Sequence, residues 1–353
     1  MFLGRKINKM RSISAALGLA AVIWGGATTA VAEKLNDFTG TNRTSFTTLA
    51  FTTGGPITWK TTGNPASAVP NAAFKRQFDY GLDTDTIAVG DYVGDVKSDL
   101  TIFRDTTASA PGIFYVSEFP TGTGGVMLNR AVQFGNGLTD IAGVQGDYDG
   151  DGKTDYTVIR VQASALVWYI LSSSTSTVKA ITFGSITGAT GPAVFPGADF
   201  NGDGRDELIY VTRNSAGTIV NYFIGDANTG AGVITRSFGN YNTDFSVAPD
   251  DYTGDGRADF VAVRETQGAQ SIWYIQNSQT GAVTATPFGI ADPTFTDLDV
   301  PVRGDFDGDN RHDICVWRAS NQTFYYISSQ FNNIQAQKSG DATDTPLGSF
   351  GLY

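Results

Sequence analysis

One nine-residue pattern returns six times along this 353-residue chain, and a chain made of copies of one unit folds as an array of that unit. The copies are DFTGTNRTS from Asp37, DYVGDVKSD from Asp91, DYDGDGKTD from Asp147, DFNGDGRDE from Asp199, DYTGDGRAD from Asp251 and DFDGDNRHD from Asp305. They align without gaps, and their starts lie 54, 56, 52, 52 and 54 residues apart. Position 1 is Asp, position 2 Phe or Tyr, and position 4 Gly in every copy.

The flanks repeat as well. An apolar run precedes the loop (Ile87-Ala88-Val89), and an alternating run ending in Arg follows it (Phe260-Val261-Ala262-Val263-Arg264). Next come a turn, an aromatic strand (Trp168-Tyr169-Ile170) and a fourth strand ending in Phe-Gly: Phe134-Gly135, Phe183-Gly184, Phe238-Gly239, Phe288-Gly289 and Phe350-Gly351. The first copy offers Phe78-Asp79 there. Four short strands at this period predict an all-β, six-bladed β-propeller of four-stranded antiparallel blades over residues 33–353. Only 17% of residues are charged and 42 are Gly, as a turn-rich β-protein requires. Six whole units predict a ring closed by packing blade six on blade one, with no exchanged strand.

The repeated loops read as calcium-binding hairpin loops. Oxygen side chains at positions 1, 3, 5 and 9, with a backbone carbonyl at position 7, are the hard donors that Ca²⁺ takes. The third loop offers Asp147, Asp149, Asp151, Lys153 (carbonyl) and Asp155. The sixth offers Asp305, Asp307, Asp309, Arg311 and Asp313. The fourth has Asp199, Asn201, Asp203, Arg205 and Glu207; the fifth has Asp251, Thr253, Asp255, Arg257 and Asp259. The second keeps Asp91, Asp95 and Asp99, but Val93 removes a ligand and Val96 opposes the bend. The first keeps Asp37 alone and is expected to stay empty. Three to five structural Ca²⁺ ions follow. EF-hands are excluded, because the twelfth position is Val158, Tyr210 or Val316 and a strand follows the loop.

The D-x-[DN]-x-D-G-x-x-D loop with its trailing Phe-Gly resembles the FG-GAP/VCBS repeat family, the calcium-binding blades also found in the integrin α-chain head. The resemblance covers residues 33–353. It implies a propeller, calcium in the loop between a blade's first two strands, and a role in adhesion or ligand binding. The Gly-Ala-Pro half of the motif is not clean here, and integrin heads have seven blades, so their ligand-binding mode is not carried over.

Residues 1–32 read as a secretory signal peptide: Arg5, Lys6, Lys9 and Arg11, an apolar stretch from Ile13 to Val22, then Ala30-Val31-Ala32. A secreted, extracellular or periplasmic protein is expected, with no span in the mature chain. The single cysteine, Cys315, allows no internal disulfide and sits in an apolar run as a core thiol. A formal charge of −11 excludes a nucleic-acid partner. Seventeen of the 35 acids are loop ligands, so the acidity belongs to the sites.

The only histidine, His312, is expected to face solvent from the sixth loop, which removes His-based catalysis. No catalytic residue is assigned, and the chain is not expected to be an enzyme. Arg104, Arg160, Arg264 and Arg318, with Arg213 displaced by one residue, recur and read as architectural. Trp168, Trp273 and Trp317 read as core. Asp83, Asp85, Asp140, Asp244, Asp292, Asp297 and Asp299 read as turn caps between blades. The expected function is a monomeric binding or adhesion module for an extracellular protein or polysaccharide. A carbohydrate lyase or hydrolase, or a purely structural exoprotein, is the alternative. Ligand contacts are expected from the irregular segments 105–111, 185–193, 290–298 and 330–346.

Overall fold

Alternating strands with two buried faces need neighbours on both sides, and that need builds the architecture. In the second strand of blade four, Glu207–Arg213, six successive residues are buried, whereas fourth strands such as Lys75–Leu82 run between exposed and half-buried positions. The computed structural model describes residues 36–63, 75–105, 110–119, 129–187, 190–266, 268–290 and 299–349. They form six four-stranded antiparallel sheets. Blade two is Thr86–Ile87, Leu100–Arg104, Ile113–Ser117 and Asn129–Gln133; blade three is Asp140–Ile141, Tyr156–Gln162, Ala165–Leu171 and Val178–Ser185. Blade four is Thr190–Ala198, Glu207–Arg213, Ile219–Gly225 and Gly232–Asn240; blade five is Asp244–Asp250, Asp259–Arg264, Gln270–Gln276 and Val283–Ile290. Blade six is Asp299–Val302, Ile314–Arg318, Thr323–Ile327 and Ile334–Lys338. The chain is a six-bladed β-propeller.

Blade one corrects the expected closure. Its first strand is Thr345–Pro346, from the far end of the chain, paired antiparallel with Phe46–Phe51; Pro56–Thr62 and Lys75–Leu82 complete the sheet. The ring therefore closes by an exchanged strand. The reason lies in the units' true ends. Trp168 Nε1 donates to Phe183 O just before Gly184, and the same bond runs from Trp59 to Tyr80 O and from Trp317 to Ser339 O. Gly81, Gly184 and Gly340 all take positive φ. Blade one thus ends at Tyr80-Gly81, not Phe78-Asp79, and blade six at Ser339-Gly340. Phe350-Gly351 lies outside the described residues, as do Asp292, Asp297 and the signal segment 1–32. No helix among the described residues is long and apolar enough to cross a membrane.

The hydrophobic clusters lie between blades. Tyr92, Phe103 and Phe114 of blade two pack on Tyr156 and Val158 of blade three. Phe46 of blade one packs with Phe306, Cys315, Trp317, Phe324 and Tyr326 of blade six, which seals the ring. Trp168, Trp273 and Trp317 are core residues, as their strand patterns predict, and burial pushes the Cys315 thiol up. Each blade shares its apolar surface with its neighbours, so the array is stable as a ring.

Candidate metal centres

Each acidic loop is shaped first by its own backbone. The position-1 carboxylate accepts the N–H of the position-4 Gly at 2.5–2.9 Å in all six copies. In loops two to six its other oxygen accepts the position-6 N–H at 2.7–2.9 Å. Position 6 takes positive φ throughout, including Val96 at 65° and Asn310 at 73°. Val96 was expected to oppose this bend, yet the hydrogen bonds hold it there, a strained state for a β-branched residue. The position-9 carboxylate accepts the position-2 N–H, as from Tyr148 to Asp155 at 3.1 Å and from Phe306 to Asp313 at 2.7 Å. The aromatic ring at position 2 turns into the core, where the Tyr148 hydroxyl donates to Val144 O at 2.7 Å.

The loops are also linked in a circle. The position-8 N–H of each loop donates to the position-1 carbonyl of the loop before it: Ser98 to Asp37, Thr154 to Asp91, Asp206 to Asp147, Ala258 to Asp199, His312 to Asp251 and Thr44 to Asp305, at 2.7–3.0 Å. The position-7 cation lies across the preceding position-4 Gly. A Cβ on Gly254 would come within 2.5 Å of the Arg311 side chain, and one on Gly150 within 2.9 Å of Arg205. Position 4 takes positive φ in every copy, and in loops two, three, five and six the neighbouring blade also occupies the space of a side chain, so Gly is required there.

Two loops gather acids tightly enough for one cation. Ligand oxygens of Asp147, Asp149 and Asp151 lie within 4.8 Å of one another, as do those of Asp305, Asp307 and Asp313. Asp155 is fully buried beneath the first cluster but held by Tyr148 and Ser173 N–H groups. Asp309 stands beside the second, accepting the Ser329 hydroxyl at 2.8 Å. Burial pushes Asp155 and Asp313 up to about 8, with Asp149 and Asp307 respectively adding like charge. Glu207 is raised to about 8, Asp99 and Asp259 to about 7, and Asp147 to about 6, each chiefly by burial. Carboxylates crowded in this way favour a bound cation over their ionised, empty state.

The other loops are less assembled. In the fourth, the Asn201 amide donates to Glu207 at 2.5 Å, so Asn201 presents nitrogen where a ligand oxygen was expected. In the fifth, Asn277 donates to both Thr253 (2.9 Å) and Asp255 (2.7 Å). In the second, the Lys97 ammonium folds onto Asp95, so the chain supplies its own cation. The side chains of Lys153, Arg205, Arg257 and Arg311 serve the inter-blade contact, and their N–H groups donate to the position-5 Asp of the same loop.

Sequence reading missed the hairpin between third and fourth strands as part of these sites. Ser328 Oγ donates to Asp307 at 2.5 Å, Gln330 N to Asp307 at 3.0 Å and Ser329 N to Asp313 at 2.7 Å. Ser173 and Ser278 hold Asp155 and Asp259 in the same way. The signal is faint, a small polar pair after the third strands of blades three, five and six: Ser172-Ser173, Asn277-Ser278 and Ser328-Ser329. His312 is a second correction. It is 10% exposed, with Nδ1 3.2 Å from Asp250 Oδ1, and does not face solvent. Position 8 points between blades, and Asp250 replaces the small residue that other blades place opposite it.

At the far end of the blades, the recurrent arginines meet the inter-blade acids. Arg104 pairs with Asp85, Arg160 with Asp140, Arg264 with Asp244 and Arg318 with Asp299, each through two hydrogen bonds of 2.6–3.0 Å. Those acids also cap the preceding turn, as expected: Asp85 accepts the Leu82 N–H and Asp299 the Ile290 N–H. In blade one, where Ala50 takes the place of the arginine, Lys60 from the third strand reaches Asp344, just ahead of the exchanged strand, at 2.8 Å. Asp83 accepts the Gly54 N–H at 2.8 Å.

Fold and loops together define a six-bladed propeller whose blades carry acidic, glycine-bent hairpin loops on one face. Residues 147–209 and 199–262 match the FG-GAP-like repeat, so the blades built from that stretch are FG-GAP-like repeats. No curated protein matches it. Among solved structures, TolB from Acinetobacter baumannii shares 15% identity at a TM-score of 0.49, over 86% of this chain and 65% of that one. The chain thus spans about two thirds of that TolB. Cobalt-substituted apocarotenoid oxygenase from Synechocystis shares 12% identity at a TM-score of 0.40, over 86% and 70% of the two chains. A putative 6-phosphogluconolactonase from Bacteroides fragilis gives 12% identity and 0.33, over 87% and 96%. None of these likenesses carries an inference about function.

Proposed function

We propose that this protein is an exported calcium-binding propeller that acts as a binding or adhesion module for an extracellular protein or polysaccharide. The observation that supports it most is the pair of three-carboxylate clusters at equivalent loops of blades three and six. Both fit a hard divalent ion in donor type and in the crowding that raises Asp155 and Asp313. Asp147, Asp149, Asp151 and Asp155 would hold one ion, and Asp305, Asp307, Asp309 and Asp313 a second. Loops four and five would join after Asn201 turns its amide and Asn277 releases Asp255. Loop two keeps Lys97 in place of an ion. Calcium in this reading supplies charge to the loops and performs no chemistry. Its role is to fix the loops that link the blades in a chain without disulfides. Export rests on the basic start, apolar stretch and Ala30-Val31-Ala32. Calorimetric titration with Ca²⁺, followed by a glycan and protein array with calcium and with chelator, tests both parts. Absence of calcium binding refutes the first part, and a calcium-loaded protein that retains nothing on the array refutes the second.

A further inference from the structure

The ring displays several times what a cation binds at the end of a blade away from the acidic loop. Four arginines there each grip an aspartate through two hydrogen bonds, and each guanidinium lies over a third-strand tyrosine (Tyr115, Tyr169, Tyr274 or Tyr325) at 4.8–5.0 Å. Blade four departs from this. Its strand-end cation, Arg213, pairs in register with Thr190, where blades three, five and six pair arginine with aspartate. Among the described residues no carboxylate meets Arg213, and its buried Nε makes no hydrogen bond. The guanidinium lies 3.6 Å above the ring of Tyr241, which is 40% exposed. Tyr241 is fixed by its own N–H, which donates to Thr218 O at 2.7 Å. Asn240 and Asn242 flank it, and the Asn242 N–H donates to Asn240 Oδ1 at 3.0 Å.

We propose that Arg213 and Tyr241 form a subsite for a sugar carboxylate, a uronate unit of an acidic glycan. The guanidinium takes from the ligand the carboxylate that its four sisters take from the chain, since a planar fork prefers a bidentate carboxylate. Tyr241, 40% exposed with the guanidinium over its ring, offers an apolar platform for pyranose C–H groups. Asn240 and Asn242 bring amide donors and acceptors suited to neighbouring hydroxyls. The nearby Asp244, which accepts the Asn240 N–H at 2.8 Å, is already paired with Arg264, and the amide-rich surround favours a sugar over an acidic peptide. The inference deepens the binding-module reading by naming a ligand chemistry, and it is independent of calcium because the subsite lies at the end of the blade away from the loops.

The test is calorimetric titration of the mature protein with a glucuronate-containing hyaluronan oligosaccharide, its methyl ester and poly-glutamate, each with calcium and with chelator. Binding of the oligosaccharide is expected, with loss on esterification. Arg213→Gln should weaken it about tenfold or more, the scale of one charge-assisted contact. Arg213→Lys should be intermediate, and Tyr241→Leu should weaken it with the melting temperature held. Equal binding by parent and Arg213→Gln, no binding by the parent, or a preference for poly-glutamate would each overturn the proposal. Calcium stoichiometry measured on the same samples separates this failure from failure of the calcium reading.

Discussion

The main-chain N–H of Thr44 donates to the carbonyl of Asp305 at 2.7 Å, joining loop one to loop six across 261 residues of sequence. It is the sixth member of a circle of identical bonds, and the Asp305 N–H returns one to Thr44 Oγ at 3.0 Å. A loop without metal ligands is thereby retained as a link. Asp37 keeps its shape by accepting four bonds from Thr39, Gly40 and Arg43.

Closure should depend on the C-terminal segment. Deleting residues 341–353 removes Thr345–Pro346 and leaves Phe46–Phe51 without its first-strand partner. The cooperative melt of the ring should be lost, while Asp344→Ala, which strips Lys60 and Thr48 of a buried partner, should cost about 1–3 kcal/mol. Thermal melts by circular dichroism decide it. An unchanged melt for the deletion would show that packing alone closes the ring.

Calcium should hold the fold together. Extracellular modules bind it with Kd of about 0.1–1 mM, so at about 1 mM free ion a tight site contributes about 1.4 kcal/mol. Asp149→Ala or Asp307→Ala should each lower the calcium stoichiometry by about one, and Asp37→Ala should leave it alone. Titration calorimetry reads the counts. A melting temperature indifferent to chelator would remove the central role of the loops.

Ion-free stability should fall as pH rises. Asp155, Asp313 and Glu207, raised to about 8, and Asp99 and Asp259, raised to about 7, stay protonated in the fold where an unfolded carboxyl has lost its proton above about 4. The folded chain then binds more protons than the unfolded one between about pH 4 and 8, so its stability declines across that window. Calcium should oppose the decline by binding the ionised form. Melting temperatures at pH 5, 6.5 and 8 in chelator and in calcium should diverge upward; parallel curves would count against these carboxylates as the sites.

Two glycines of one loop should respond in opposite ways. Gly254→Ala places a Cβ 2.5 Å from Arg311 at φ 78° and should cost about 1–3 kcal/mol. Gly256→Asn meets nothing within 4 Å and copies Asn310 of loop six, so it should be close to neutral. Equal melting temperatures for the two variants would sink the inter-blade explanation of position 4.

Loop two should be convertible. Replacing Val93 with Asp and Lys97 with Gln restores the missing ligand and removes the ammonium that neutralises Asp95. The double variant should gain about one calcium per chain by titration. An unchanged count would mean that Lys97 is not what keeps this loop free of metal.

The sequence alone determined the blade count, the strand order within a blade and the acidic face, because six internal copies repeat Asp, an aromatic and Gly at fixed positions. Local hydrogen bonding dictates those positions: Asp147 closes on Gly150 and Gly152 wherever that spacing occurs. Where one unit ends was decided only in three dimensions. A ring has no natural starting point, and Asp344 could be recognised as blade one's own acid only when it met Lys60 from the other end of the chain. The segment Gly340 to Thr345 does echo Gly81 to Thr86, with Asp344 matching Asp85, but a two-residue strand has too little pattern to be assigned by periodicity. Side-chain contacts were equally hidden. His312 facing Asp250, Lys97 folding onto Asp95 and Arg213 meeting Tyr241 instead of an aspartate depend on which side chains the folded chain brings together, and a one-dimensional repeat carries no record of that.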